Sequence, residues 1–303
     1  MKEAMTLMMM SGYLSSNKLN MSLKKRIWEF LEESKSLVEI YSNFKDEKES
    51  TIRGRLNENV GRCFERIGRG IYIATFGEIQ AVIINGDSRE ELKKIDDESI
   101  DQIIMDFPYN ILDKQMQTGT TRKRNLRKGW LFQTEDLDEG YYSELLRILK
   151  PGGHMFSFMP ASASDTHEYL ENQIKIAKKC GWTYNRQWVW DKKHMGMGYR
   201  GRARHELIYF FSKGKRRLFG KGHPMRATPD VLCYPREHYL VRRHETQKPI
   251  DLIARLVEFG SEPGEIVLDP FAGSLSLAAA CLQTGRHSIS IEIDKGMIEK
   301  CLT

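Results

Sequence analysis

The sequence predicts an α/β protein in which helices cover both faces of a mostly parallel sheet, with a small helical unit before it. Three observations predict this fold class. The composition is that of a globular chain, with 40% apolar and 29% charged residues over 303 residues, a length that suits one large domain or two. After residue 80, apolar runs of strand length alternate with helical segments, which is typical of a parallel sheet. Before residue 75, two helical patterns precede a pair of β-prone runs.

Composition also excludes several classes of protein. No window approaches the roughly 20 consecutive apolar residues of a transmembrane helix, so we expect no membrane partner. Five scattered cysteines without a C-x-x-C pair argue against a disulfide framework and a zinc knot, and we expect no metal. Residues 1–20 are interpreted as a leader. The net charge of +6 is compatible with a nucleic-acid partner but does not establish one.

Residues 21–75 are interpreted as a small winged helix-turn-helix domain. Apolar residues recur at helical spacing from Leu23 to Leu31 and again from Ile52 to Val60. Two β-prone runs follow, joined by a Gly-Arg-Gly segment that suits a tight hairpin turn. Helices followed by a hairpin are typical of a winged helix, in which the arginines expected to contact DNA are Arg53, Arg55 and Arg69. The alternative is a packing or dimerisation appendage whose arginines are only solvated.

Seven apolar runs after residue 80 are predicted as strands. They are residues 81–84, 100–107, 154–158, 183–190, 207–211, 265–268 and 288–293. Helical segments lie between them, among them residues 141–149 and the amphipathic stretch after Pro249. Ligands of parallel sheets bind beyond the carboxyl ends of the strands, so the residues that end each run are the candidates for chemistry.

The second run ends in Asp106-Phe107-Pro108-Tyr109. A carboxylate and a neighbouring backbone carbonyl can accept both N–H groups of an exocyclic amine, whose lone pair is otherwise delocalised into a nucleobase ring. A proline supplies a carbonyl without a competing N–H, and a tyrosine can stack on a base that has left the duplex. The alternative is an ordinary strand-to-turn junction, because Asp, Pro and Asn are favoured in turns.

Two segments resemble motifs of the DNA amino-methyltransferases. Asp106-Phe107-Pro108-Tyr109 resembles the D-P-P-Y motif that binds the target amine, with Phe107 at a proline position. Residues 269–274, Asp-Pro-Phe-Ala-Gly-Ser, resemble the D-P-F-x-G-S-G motif for S-adenosylmethionine, with Leu275 at the second glycine. Small residues after a strand let the backbone approach a ligand closely, and a helix that starts there presents N–H groups.

Three further segments complete the resemblance. Residues 244–249 resemble the family's H-P-T-Q-K-P segment, whose Thr and Lys lie near the methionine carboxylate, and Asn85-Gly86-Asp87 resembles the N-G-D segment, which we place at the cofactor's adenine amino group. Glu292 stands where nucleotide-binding folds place an acidic residue for ribose hydroxyls. The cofactor-binding residues expected on these grounds are Asp87, Thr246, Lys248, Asp269, Phe271, Gly273, Ser274 and Glu292.

The order of the motifs resembles the beta class of these enzymes over about residues 81–303. This implies a Rossmann-like, mostly parallel seven-stranded methyltransferase sheet in a domain of residues 76–303. Residues 51–74 also resemble the HARE-type winged helix found with DNA-modifying systems. Such an enzyme would be a cytoplasmic protein of bacterial, archaeal or phage origin that acts on double-stranded DNA. A homodimer and a restriction endonuclease are further partners left open.

Basic segments are the candidates for binding DNA. One follows the amine-binding motif, and the other is a target-recognition segment of about residues 192–243 with interspersed aromatic residues. Cations neutralise phosphates, and aromatic or arginine planes can fill the gap left by a flipped base. The alternative is a solvated basic face. The arginines chosen are Arg122, Arg124, Arg200, Arg202, Arg216 and Arg217.

The sequence leaves several functions open. Asp106 favours the N6 amine of adenine, because in the family a serine at that position usually accompanies cytosine. The rival substrate is the N4 amine of cytosine. A third hypothesis is a catalytically decayed DNA-binding relative, suggested by Phe107 and Leu275, and a fourth is methylation of a protein glutamine. Methylation of a cytosine ring carbon is disfavoured because the sequence has no Pro-Cys pair to supply the thiolate.

Overall fold

The computed structural model describes most of the chain after residue 79 and parts of the chain before it. The described residues are 5–6, 27, 35–58, 64–68, 71–74, 79–108, 137–161, 164–196, 201–219, 223–236 and 247–302, with the backbone alone at 5–6, 58, 64–68, 71–74 and 164–166. In these ranges no helix is both long enough and apolar enough to cross a bilayer.

Twelve strands and eight α-helices are assigned within the described residues. The strands are β1 (Met5–Thr6), β2 (Lys35–Ser36), β3 (Phe64–Gly68), β4 (Ile71–Ala74), β5 (Ala81–Asn85), β6 (Ile100–Met105), β7 (Leu149–Met159), β8 (Trp182–Asp191), β9 (His205–Lys213), β10 (Val231–Cys233), β11 (Ile266–Asp269) and β12 (His287–Glu292). The helices are α1 (Leu37–Asn43), α2 (Glu49–Glu58), α3 (Ser88–Leu92), α4 (Glu139–Ile148), α5 (Ser164–Lys179), α6 (Ile250–Gly260), α7 (Ser276–Thr284) and α8 (Lys295–Leu302).

A nine-stranded sheet runs in the order β1-β5-β12-β11-β6-β7-β9-β8-β10. The seven predicted strands are all present, and each lies in this sheet. From β5 to β7 neighbouring strands are parallel, whereas β9 is antiparallel to both β7 and β8. The two additional strands are short: β1 pairs antiparallel with β5, and β10 pairs parallel with β8. The prediction of a mostly parallel sheet is therefore confirmed, with two edge strands beyond the expected seven.

Helices bury an apolar core on each face of the sheet. The alternation along β7 shows this, because Met155 and Met159 pack into one core while Phe156 and Phe158 pack into the other. The first core lies under α4 and α5, and the second lies under α6 and α7. Burying one such side chain stabilises the fold by roughly 1.5–3 kcal/mol. The central strands are therefore held rigidly, and so are the residues at their ends.

A second sheet has three strands in the order β2-β4-β3 and draws them from residues 35–74. Helix α1 begins with a capping box between Ser36 and Glu39. The predicted second helix is α2, and the predicted hairpin is β3-β4. The division into a leader, a winged helix and a catalytic domain stays a prediction, as does contact of this small sheet with DNA.

Candidate active site

The carboxyl ends of four neighbouring parallel strands bring the predicted motifs to one edge of the sheet. Glu292 pairs with Asn85 across β12 and β5, Asp269 pairs with Ser290 across β11 and β12, and Leu268 pairs with Ile103 across β11 and β6. Asp106 follows β6 directly. Because these strands point the same way, the amine-binding motif and the cofactor loop lie at the same edge, as ligand binding in such sheets requires.

Asp106 belongs to a network of four charged side chains. The Lys248 ammonium donates to Asp106 Oδ2 in a short contact and lies 3.3 Å from Glu206 Oε2. The other oxygen of Glu206 lies 3.2 Å from the ammonium of Lys192. The network therefore alternates carboxylate and ammonium groups, and its formal charges cancel. Glu206 and Lys192 were not predicted as site residues, because only the pairing of β6 with β7, β7 with β9 and β9 with β8 brings them near the motifs.

Burial and charge act in opposite directions on the ionisation of this network. Burial lowers the pKa of Lys248, but the charges of Asp106 and Glu206 outweigh burial, so the pKa lies above its usual value. Burial raises the pKa of Glu206, yet Lys248 and Lys192 hold it below its usual value. At neutral pH, Lys248 is therefore a cation and Glu206 is an anion.

Aromatic rings form the wall behind the ammonium of Lys248. Its nitrogen lies 4.9 Å from the ring centroid of Phe158 and 5.9 Å from that of Trp190. Both rings are almost fully buried. A cation facing such rings is attracted by their negative faces, by roughly 0.5–2 kcal/mol. The side chain of Lys248 is only 10% exposed, so water hardly competes with these partners.

The cofactor loop between β11 and α7 is held by carboxylates. Asp269 Oδ1 accepts from the Phe271 amide at 3.0 Å, and Glu292 Oε2 accepts from the Gly273 amide at 2.7 Å. Gly273 has a positive φ of 47°, which suits glycine. The hydroxyl of Ser274 lies 2.9 Å from that of Ser276 in the first turn of α7. Glu292 therefore shapes the loop as well as standing at the predicted ribose position.

Leu275 adopts the backbone conformation that the family's glycine would favour. Its φ of 57° and ψ of 27° lie in the left-handed region, which is uncommon for a bulky residue. The side chain is buried in a cluster with Ala81, Ile83 and Ile298. Leu275 therefore adopts a backbone conformation that glycine adopts easily, and its side chain is buried in the core.

Phe107 is buried, with 1% of its surface exposed. Its ring centroid lies 6.3 Å from that of Phe271, and Phe271 in turn stacks on Tyr141 at 5.6 Å. The Tyr141 hydroxyl donates to Ser88 Oγ at 2.9 Å. The Phe107 side chain is therefore part of the core, and only its backbone can face a target amine. Pro108 is half-buried beside it.

The residues at this edge fit a positively charged nucleoside such as S-adenosylmethionine. Burial raises the pKa of Asp269 to about 8, and the nearby carboxylates Asp106 and Glu292 add to the rise. A cation that binds next to such a carboxyl group favours its ionised form and forms an ion pair with it. Asp87 is exposed at the end of β5, where its side chain accepts from the Arg89 amide at 2.9 Å and caps α3.

The predicted DNA-binding arginines lie in different places. Arg202 is exposed near the catalytic edge and donates to the Gly196 carbonyl at 2.6 Å. Arg216 and Arg217 follow β9 and lie at the opposite edge of the sheet, where Arg217 pairs with Glu265 through both nitrogens. The structure thus does not bring these two to the site. Arg53 donates to the Tyr41 hydroxyl at 2.9 Å, and Arg55 lies in the last turn of α2. The predicted residues outside the described ranges are Arg69, Tyr109, Arg122, Arg124, Arg200 and Thr246.

Known proteins resemble this chain in sequence and in fold. The family model N6_N4_Mtase, described as DNA methylase, matches residues 100–302. DNA adenine methyltransferase YhdJ of Escherichia coli strain K12 is 32% identical over 251 residues, which are 74% of this chain and 82% of that protein. The M1.HpyAVI–SAM complex has a TM-score of 0.53 at 20% identity and covers 72% of this chain and 96% of that one. PvuII DNA methyltransferase, named as cytosine-N4-specific, has a TM-score of 0.54 at 16% identity and covers 73% and 84%.

The two solved structures confirm the predicted Rossmann-like methyltransferase fold. The family match covers more than half of the chain, and the relative from Escherichia coli exceeds 30% identity. The chain belongs to the N6/N4 DNA methylase family and is an S-adenosylmethionine-dependent DNA methyltransferase.

Proposed function

We propose that the protein transfers a methyl group to the N6 amine of an adenine flipped out of double-stranded DNA. The observation that carries the proposal is the position of Asp106 at the end of β6, on the same sheet edge as the cofactor loop. The name of the Escherichia coli relative, a DNA adenine methyltransferase, supports adenine as the base. Aspartate at the first position of the motif supports the same choice.

The chain's own part in the reaction is to hold the amine and to take its proton. Asp106 accepts one N–H and the backbone carbonyl of Phe107 accepts the other, so that the nitrogen lone pair is directed out of the base plane. When bound, S-adenosylmethionine supplies the methyl group and retains both electrons of the broken carbon–sulfur bond on sulfur. The nitrogen gains the methyl group and releases one proton to Asp106, which passes it to water.

The remaining residues are proposed to bind the cofactor and the DNA. Asp269 and Glu292 accept from amides of the cofactor loop, and Asp87 follows β5 at the same edge of the sheet. All three suit the amino and hydroxyl groups of a nucleoside. Lys248, with Thr246, is proposed to lie near the methionine carboxylate. Because the Lys248 ammonium also contacts Asp106, it connects the cofactor site with the amine site. A homodimer and a restriction endonuclease partner remain proposals of the sequence alone.

One experiment tests both the base and the chemistry. Duplex DNA is incubated with the protein and S-adenosylmethionine carrying a labelled methyl group, digested to nucleosides and analysed by mass. We expect labelled N6-methyldeoxyadenosine. Labelled N4-methyldeoxycytidine would show that cytosine, not adenine, is the target base. Cofactor binding without any labelled nucleoside would indicate a decayed enzyme. The control is Asp106→Ala, which should bind cofactor within about threefold of the parent and lose at least ~100-fold in turnover.

A further inference from the structure

We propose that Glu206 is a positioning residue that draws the Lys248 ammonium away from Asp106 when the target amine binds. The inference rests on the proposed function, because it takes Asp106 as the residue that accepts the amine. Its basis is the place of Glu206, at the start of β9, within hydrogen-bonding range of the same ammonium that now pairs with Asp106.

The present contact and the proposed reaction compete for the same carboxylate. Lys248 donates to Asp106 Oδ2, an oxygen that an amine N–H would also use. An ammonium held there also opposes the positive charge that develops on the amine nitrogen as it gains the methyl group. Asp106 therefore has to lose Lys248, wholly or in part, before it can hold the amine and stabilise that charge.

Glu206 is a second acceptor for the ammonium that leaves Asp106. The distance from Lys248 Nζ to Glu206 Oε2 is 3.3 Å, so a small shift of the nitrogen converts this contact into the shorter one. Phe158 and Trp190 keep facing the ammonium during such a shift. The cation thus moves between two carboxylates without entering water.

Lys192 holds Glu206 in the position and the charge state that this role requires. It holds the second oxygen, Oε1, at 3.2 Å, and its own side chain is only 13% exposed. Glu206 is therefore fixed in place and ionised, while its Oε2 remains directed at Lys248. When the product leaves, the carboxylate of Asp106 recovers Lys248 and the network returns to its present arrangement.

The test is a double-mutant cycle measured by single-turnover methylation at saturating cofactor. Glu206→Gln keeps the size of the side chain and removes its charge. It should lower the rate of methyl transfer by about 10- to 100-fold while the Kd for cofactor and the KM for DNA change less than about threefold. In a Lys248→Met background, where no ammonium has to move, Glu206→Gln should change the rate less than about twofold.

Two further variants separate positioning from folding. Glu206→Asp keeps the charge and should recover most of the lost rate. Glu144→Gln removes a carboxylate that is also half-buried and ion-paired, with Arg147 at 3.0 Å, but lies on α4 away from the network, and it should leave the rate unchanged. If Glu206→Gln does not fold, Glu206→Ala, which also removes the charge, is measured in the two backgrounds. A loss of rate in the parent that disappears in the Lys248→Met background supports positioning, and an equal loss in both, or no loss in the parent, overturns it.

The outcomes distinguish this inference from the proposed function. An equal loss from Glu206→Gln in both Lys248 backgrounds, or no loss in the parent, would overturn the positioning role. If Asp106→Ala abolishes transfer in the same assay, the proposed function stands whichever way the cycle falls. If Asp106→Ala keeps the parental rate, the proposed function fails with its catalytic aspartate, and the positioning role fails with it.

Discussion

Asp269 shows at the scale of one residue how a buried carboxyl group makes the stability of the protein depend on pH. Its carboxyl group lies among Asp106 and Glu292 at the end of β11, and its pKa is raised to about 8 by burial and by these charges. The folded protein therefore holds a proton that the unfolded chain loses near pH 4. This contribution to stability is complete below about pH 4 and is lost as the pH rises through 8.

Asp269→Asn removes this titration, because an amide stays neutral at every pH. We expect the melting temperature of the variant, relative to the parent, to rise between pH 5 and pH 9 by about 3 °C or more, equivalent to roughly 1 kcal/mol. Scanning calorimetry across this range measures it. Asp96→Asn, which removes an exposed carboxyl group before β6, is the control. A difference independent of pH would contradict the raised pKa.

Phe107 and Leu275, two of the departures from the family motifs, could not be interpreted from sequence. The motif shows that Phe107 occupies a proline position, but burial of its ring against Phe271 depends on the packing of two strand ends that lie far apart in the chain. Leu275 is still less predictable, because a leucine at φ 57° contradicts its intrinsic preference and is stabilised only by its buried side chain. Asp106, which follows β6, and Asp269, which ends β11, could be predicted.

Phe107→Pro restores the family's residue and should nevertheless destabilise this protein. Removing a ring that is 1% exposed leaves a cavity beside Phe271, and changes of this kind cost about 3–5 kcal/mol. Urea denaturation measures the loss. Phe107→Leu, which keeps most of the volume, should lose much less. Phe107→Pro with parental stability and higher turnover would show that the phenylalanine is a defect of the motif and not part of the core.

At the scale of elements, long buried strands were predictable and short edge strands were not. The runs that became β5 to β9, β11 and β12 carry apolar residues over strand length. Strands β1 and β10 contain two and three residues, too few for any periodicity. Helix α1 was also missed, although its capping box of Ser36 and Glu39 is legible in the sequence. The Lys192–Glu206 pair arises only from strand pairing.

The docking of α6 on β6 depends on a glycine at the end of the helix. A Cβ added to Gly260 would lie 2.7 Å from the amide carbon of Gln102, which is fully buried and donates to the Leu256 carbonyl at 2.7 Å. Gln102 cannot move without losing that bond. This contact joins the helix that follows Lys248 to the strand that carries Asp106, so it maintains the spacing of the site.

Gly260→Ala should destabilise the protein by about 1–3 kcal/mol, because the added methyl group overpacks the contact with Gln102. Chemical denaturation measures the change. Gly54→Ala on α2 is the matched control, since nothing lies within 4 Å of its added Cβ and alanine favours a helix, and it should be neutral or stabilising by up to ~1 kcal/mol. Equal effects at the two glycines would show that the contact with Gln102 is not the cause.

At the scale of the whole molecule, the two edges of the sheet carry different groups. The carboxyl edge carries Asp106, the cofactor loop and the exposed Arg202. At the other edge, Arg217 pairs with Glu265 and its backbone bonds Gly152 at the start of the long strand β7. The sequence clustered all of these arginines in one basic segment, because charge patterns along a chain do not show that β9 runs antiparallel and carries its two ends to opposite edges.

This separation predicts which arginines DNA contacts. Arg204 pairs with Asp191 at the catalytic end of β8, whereas Arg216 donates to Asn185, six residues earlier in the same strand. Six residues of strand span roughly 20 Å, about the width of a duplex, so we expect DNA that reaches Asp106 to pass Arg202 and not Arg216. Each lost phosphate contact lowers the slope of log affinity against log salt by about 0.9.

We therefore expect Arg202→Ala to weaken duplex binding and to lower the salt slope by about one, whereas Arg216→Ala leaves both unchanged. Fluorescence anisotropy with a labelled duplex at several salt concentrations measures both quantities. The two variants are matched, because each removes one arginine that donates to an uncharged oxygen. A reduced slope for Arg216→Ala alone would place the DNA on the far edge of the sheet, where Asp106 could not reach a flipped base.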